Sequence, residues 1–183
     1  AFSLAFLTSY GAMAQKRPDF VKFINSDHKW VDSVFNSLTP KERIGQLFLV
    51  RAHTNLGQKF IDSVGTVVKN EQVGGLVVFQ GGPVRHIDMI NNYQKVSKVP
   101  LLVTIDGEWG LGMRLPDSTQ SFPYQMTLGA LQDNSLIYDM GRDAAKDFLR
   151  VGIHFNFAPT VDINNNPKNP VIGFRSFGDN KEN

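Results

Sequence analysis

Apolar runs recur along this chain at intervals that leave room for one helix each: QLFLVRA over 46–52, LVVF over 76–79, LLVTI over 101–105 and the start of IHFNFAPTVDI over 153–163. Nearly continuous apolar runs of this length are strands buried on both faces, the habit of a parallel sheet wrapped by helices. The stretches between them have helical spacing. Phe60, Ile61, Val64, Val67 and Val68 share one face over 57–72, and Ile87, Ile90, Tyr93 and Val96 do so over 84–99. Leu136, Ile137, Met140, Ala144 and Phe148 form an inward stripe over 134–151. The punctuation agrees. Thr39-Pro40-Lys41-Glu42 is a capping box with proline at the first helical position. Gly74-Gly75 and Pro100 close helices, Asp133 or Asn134 caps the last one, and Gly152 ends it. A further helix is expected over 28–38, with Trp30, Val31, Val34, Phe35 and Leu38 as its stripe, after a polar tether over 15–26.

The order helix–β–α–β–α–β–α–β fits a doubly wound sheet and a (β/α)8 barrel alike. The barrel is favoured because every strand exits into a polar loop: Arg51, then Gln80-Gly81, then Asp106-Gly107-Glu108, then Asn156 to Asp162. A barrel gathers such loops on one face. The expected class is α/β, the first half of a (β/α)8 TIM barrel with parallel strands. A complete barrel takes about 250 residues, so a chain of 183 residues with four strands is expected to be the leading part of a longer protein.

A net charge of +2 without any Lys/Arg run gives no footprint for nucleic acid. The absence of cysteine excludes disulfides, thiolate metal sites and a thiol nucleophile. The opening AFSLAFLTSYGAMA is uncharged, apolar through Leu7, and ends in Ala12-Met13-Ala14, the small-x-small pattern of a signal-peptidase site. Residues 1–14 are therefore read as a signal-peptide remnant lacking its basic start, and the protein as exported, periplasmic or extracellular. The apolar run is too short to span a bilayer, so no membrane span is expected. No G-x-S-x-G, H-E-x-x-H or phosphate-loop motif is present, and Leu115 stands where a dinucleotide fingerprint needs its third glycine. The four histidines lack ligand spacing, and His154 reads as a core histidine. Neither metal nor cofactor is expected.

IDGEWGLGMRL over 105–115 resembles the I-D-x-E-G-G-x-V-x-R-L signature of glycoside hydrolase family 3. FNFAPTVDINNNPKNPVIGFRSFGDN over 155–180 resembles that family's N-F-A-P-x-x-D-I-N…N-P-V-I-G-x-R-S-F-G-x-D segment, and GQLFLVR (45–51) and QSFPYQMTLGAL (120–131) fall in the expected order. The resemblance covers residues 39–180, so 39–183 is read as an incomplete family-3 barrel behind a tether and helix over 15–38. It implies a barrel that cleaves terminal β-linked sugars with retention of configuration. The NPVIGFRSFG version is nearer the β-N-acetylglucosaminidase branch, which implies a parent protein releasing terminal β-linked N-acetylglucosamine from a carbohydrate substrate. A β-glucosidase-type exo-hydrolase and a non-catalytic sugar-binding module are the alternatives.

By the same resemblance, Asp106 binds hydroxyls of the sugar and Arg175 helps to hold it. The chemistry suits them, since a carboxylate accepts from two adjacent hydroxyls and a guanidinium offers a rigid fork of donors. Glu108 and Arg114 are further substrate-binding candidates with open roles: Glu108 either touches the sugar or orients Arg114 through a salt bridge, and Arg114 is either a contact or scaffold. Asn156 and Asp162 are expected to fix the loop after the fourth strand, and Arg51 either faces the site or does not. Trp109 departs from the pattern by standing where the family has glycine, either as a stacking platform or packed under the loop. The family's nucleophile and acid/base follow motifs that this chain does not contain. No catalytic residue is assigned, and these residues alone are expected not to turn over substrate.

Overall fold

The structure, a computed structural model, describes residues 20–182. The expected signal-peptide remnant lies outside the described residues. Backbone contacts divide the chain into two units, Ala1–Ser37 and Leu38–Asn183.

The first unit holds two short helices, α1 (Phe20–Ile24) and α2 (Lys29–Ser37). The first lies inside the stretch expected to be a tether. Ser26 Oγ and His28 Nε2 both donate to the Phe23 carbonyl, at 2.8 and 2.6 Å, and close the turn between them. Trp30, Val31 and Phe35 are exposed, so the stripe read as inward is not covered within this unit. Two helices of one and two turns have too little facing surface to bury it.

The second unit opens with α3 (Pro40–Gly45), whose capping box forms as read: Thr39 Oγ1 accepts from the Glu42 amide at 3.3 Å, and the Thr39 amide donates to Glu42 Oε2 at 2.7 Å. There follow β1 (Leu49–Ala52), α4 (Gln58–Glu71), β2 (Gly75–Val78), α5 (Pro83–Val96), β3 (Leu102–Ile105), α6 (Gln125–Leu128), α7 (Asn134–Arg150) and β4 (Phe155–Asn156). Single 3-10 turns occur at Leu111–Met113 and Gly173–Arg175. All strand pairs are parallel, in the order β1-β2-β3-β4. A doubly wound sheet reverses its strand order at a switch point; sequential order is that of a barrel.

The register pairs Val50–Leu76–Val103 and Ala52–Val78–Ile105–Asn156 in alternate rows. Leu76, Val78, Val103 and Ile105 are buried in one cluster with Val64 and Val68 of α4, Met89, Ile90 and Tyr93 of α5, and Ala144 and Phe148 of α7. The rows between them point the other way, and there Leu49, Leu102 and Phe155 are exposed. Among the described residues α4, α5 and α7 cover one face of the strands; the other face, where Thr104 is already buried, is the one that lines the packed interior of a barrel. Gly75 does more than end a helix: a Cβ there would collide with the Leu102 carbonyl oxygen, so only glycine lets β2 and β3 start this close.

Local differences have local causes. The first strand begins at Leu49 and not at residue 46, because Leu47 and Phe48 still donate to the carbonyls of Ile44 and Gly45 at the end of α3. The buried face of α5 is His86, Met89, Ile90 and Tyr93, rotated one position from the expected stripe, which leaves Ile87 and Val96 exposed. Leu136 is also exposed, whereas Ala144 and Phe148 are buried as read. No helix among the described residues is long and apolar enough to cross a membrane.

Candidate functional site

Strand β3 runs through buried Val103, Thr104 and Ile105 and delivers Asp106 at its C-terminal end. The loop that follows is fixed from β4. Asn156 Oδ1 accepts from the Gly107 amide at 3.0 Å and from the Ala158 amide at 3.3 Å, while Asn156 Nδ2 donates to the Gly107 carbonyl at 3.3 Å. Asn156 therefore secures the loop after β3 as well as the one after its own strand.

The two acids of that loop have separate partners. Arg114 donates from Nε to the Asp106 carbonyl at 2.9 Å and from Nη2 to Asp106 Oδ2 at 3.1 Å. The Asp106 side chain is 37% exposed, that of Arg114 only 13%, and Asp106 Oδ1 has no hydrogen-bond partner among the described residues. Glu108 does not orient Arg114. Its side chain is 1% exposed, and both its oxygens accept from Arg175: Nε at 2.9 and 3.0 Å, Nη2 at 2.5 Å. The Arg175 side chain is 29% exposed. The hydrogen-bonded Glu108 carboxylate raises the arginine above its ordinary pKa, with Asp106 and Asp162 adding to the effect.

Arg175 comes from the 3-10 turn after β4, and that turn is tied down in its own right. Its carbonyl accepts from Thr160 Oγ1 at 2.8 Å, and Ser176 Oγ donates to the Asp162 carbonyl at 2.7 Å. Asp162 thus contributes its backbone to the loop. The Glu108 carbonyl accepts from buried Gln125 Nε2 at 2.5 Å, which docks α6 behind the loop.

Trp109 is half-buried. Its ring meets Tyr124 edge-on at 4.7 Å and 83°, and Tyr124 meets Phe174 at 4.6 Å. The loop accommodates the indole because Gly110 turns away with φ of 90°, where a Cβ would strike the Phe122 ring. Tyr124 and Phe174 lie inside QSFPYQMTLGAL and NPVIGFRSFG, where nothing in the sequence alone sets them apart as neighbours of Trp109. His154 is exposed, its Nδ1 accepting from the Val103 amide at 3.1 Å, so it is satisfied but not in the core. Arg51 lies in the row with Val77 and Thr104, on the sheet face that the helices leave uncovered.

Residues 39–183 match the Glycosyl hydrolase family 3 N terminal domain. Beta-hexosaminidase A of Pseudoalteromonas piscicida is 28% identical over 185 residues, spanning 87% of this chain and 31% of that protein. A solved glycoside hydrolase family 3 beta-N-acetylglucosaminidase from Paenibacillus sp. str. FPU-7 is 34% identical, with a TM-score of 0.71 over 80% of this chain and 28% of its own. Beta-glucoside phosphorylase BglX bound to 2FGlc is 27% identical, with a TM-score of 0.74 over 84% of this chain and 27% of its own. The four parallel strands correspond to the first half of the TIM barrel of these neighbours. The chain spans about a third of the length of the first curated relatives it matches, 31% and 36%.

Proposed function

This chain belongs to glycosyl hydrolase family 3, and from that membership we propose that the whole protein is a retaining exo-glycosidase releasing terminal β-linked N-acetylglucosamine. The names of its relatives, a beta-hexosaminidase and a beta-N-acetylglucosaminidase, support the choice of sugar. The observation that carries the reading is Asp106, at the strand mouth with one carboxylate oxygen fixed by Arg114 and the other unpartnered. That free oxygen accepts from a sugar hydroxyl, and such charge-assisted bonds are the strong ones.

Arg175 completes the grip. A guanidinium has five N–H donors. Glu108 takes one on Nε and one on Nη2, and the Val171 carbonyl takes one on Nη1 at 3.3 Å. The remaining donors on Nη1 and Nη2 are left for sugar oxygens. Glu108 acts through Arg175, since both of its oxygens are engaged and its side chain is closed to solvent. The same closure argues against Asp106 and Glu108 as a retaining pair, because such carboxylates both have to reach the scissile bond. Export to the periplasm or beyond is supported by the leader-like composition of residues 1–14.

Assaying the full-length protein on aryl β-N-acetylglucosaminide and aryl β-glucoside, with and without inorganic phosphate, tests this reading. Phosphate-independent hydrolysis of the first, with the β-anomer as first product, is the expected result. Turnover of the glucoside alone overturns the sugar assignment. Release of glucose 1-phosphate from the glucoside favours the second reading, β-glucoside chemistry, which the likeness to the phosphorylase motivates.

A further inference from the structure

The last register row of the sheet is Ala52–Val78–Ile105, whose side chains turn toward the helices. The next residues along the three strands are His53, Phe79 and Asp106. The ladder continues into them, with the Phe79 amide donating to the Ala52 carbonyl at 2.8 Å. By strand alternation this row belongs to the uncovered face of the sheet. Three successive strand ends therefore bring an imidazole, a phenyl ring and the sugar-holding acid into one row at the mouth.

Their contacts form a chain that ends on Asp106. The two bonds from Arg114 to Asp106 lie along one edge of the guanidinium plane. They fix that edge, while Nη1 on the far side has no hydrogen bond among the described residues. A further contact holds the group: Arg114 Cζ lies over the Phe79 ring, 4.7 Å from its centroid. The face of an aromatic ring is its negative side and attracts a cation. Phe79 is backed in turn by His53, nearly parallel at 17° and 5.2 Å, and His53 meets Phe60 edge-on at 5.5 Å and 89°.

His53 is an unusual residue for this place. Both ring nitrogens are buried, with the Asn55 side chain as the hydrogen-bonding group beside them. Burial lowers its pKa, the guanidinium groups of Arg51 and Arg114 add to the effect, and Asn55 partly opposes it. What His53 supplies here is a flat face against Phe79.

We infer that His53 and Phe79 are positioning residues for Asp106: the contacts from His53 to Phe79 to Arg114 hold the guanidinium in place, and so the direction in which Asp106 presents its unpartnered oxygen. The inference rests on the reading of Asp106 as the sugar-holding acid.

The test is calorimetric titration of the full-length protein with N-acetylglucosamine, together with KM and kcat on an aryl β-N-acetylglucosaminide. Wild type is compared with Phe79→Leu, Phe79→Tyr, Asp106→Ala, and a protein in which Phe79 is replaced by its pentafluoro analogue. The analogue keeps the ring's shape and reverses its charge pattern, so it decides the matter even where Phe79→Leu does not fold. Leu and the pentafluoro ring are expected to raise Kd and KM about tenfold, and Tyr to stay within about twofold of wild type. His53→Ala raises the same constants about threefold and His53→Phe restores them; equal losses in both remove His53 from the chain of contacts. Wild-type Kd and KM in the pentafluoro protein, with binding lost in Asp106→Ala, overturn the positioning inference and leave the sugar reading intact. Unchanged binding in Asp106→Ala instead sinks the sugar reading, and the inference with it.

Discussion

Asp106 and Glu108 stand two residues apart in one loop, each held by an arginine, yet the two pairs are built for opposite ends. Asp106 receives a single side-chain bond from Arg114, keeps an oxygen free and is 37% exposed. Glu108 receives three from Arg175 and is 1% exposed. An ion pair open to water contributes at most about 1 kcal/mol, because solvent screens it. A buried pair is different, since removing one partner strands the other and costs about 3–5 kcal/mol. Little stability is invested in Asp106, which leaves it available to a ligand. Glu108 is committed to the fold of the loop.

The largest effect should follow from breaking the closed pair. Arg175→Ala strands the buried Glu108 carboxylate and should lower the unfolding free energy by about 3–5 kcal/mol, against about 1–2 kcal/mol for Arg114→Ala, which loses a partly exposed ion pair and the contact on Phe79. Urea titrations of both variants check this, and equal losses would break the comparison. Acid complicates such measurements through another residue. His86 is fully buried in α5, and burial pushes its pKa down from 6.5 to about 4, partly opposed by the Val151 backbone. The unfolded chain binds this proton more tightly than the folded one. Stability is therefore fully present above pH 6.5 and falls as the pH drops toward 4, by about 3 kcal/mol. His86→Leu should flatten that slope between pH 7 and pH 5; an equally steep profile in the variant would return the acid sensitivity to the ion pairs. The smallest effect belongs to the rim. Trp109→Gly removes the edge-on contact with Tyr124 and should lower stability by about 1 kcal/mol by calorimetry. A loss matching that of Arg175→Ala would mean that the aromatic rim, and not the ion pair, holds the loop.

Much of the frame was legible because its signals are local. The capping box at Thr39, the apolar runs of β2 and β3, and the glycines between segments all act within a few residues of themselves. The partner of Glu108 was not. Arg114 is six residues away and invites a local salt bridge, whereas the true partner, Arg175, is 67 residues away and arrives on a turn beyond β4. His53 was hidden by one residue: with the first strand read as ending at Arg51, the rule that found Asp106 at a strand exit pointed to the wrong side chain. The strand ends at Ala52. Amphipathic stripes say which face of a helix is apolar but not what covers it, as exposed Trp30 and Phe35 show.

The division between a presenting acid and a bracing one is tested most directly by titrating N-acetylglucosamine into the full-length wild type and Asp106→Ala while recording the unfolding of each. The expected result is a loss of affinity of about 10- to 100-fold, from the removal of a charge-assisted acceptor, with unfolding free energy changed by no more than about 1 kcal/mol. Wild-type affinity in Asp106→Ala would contradict it.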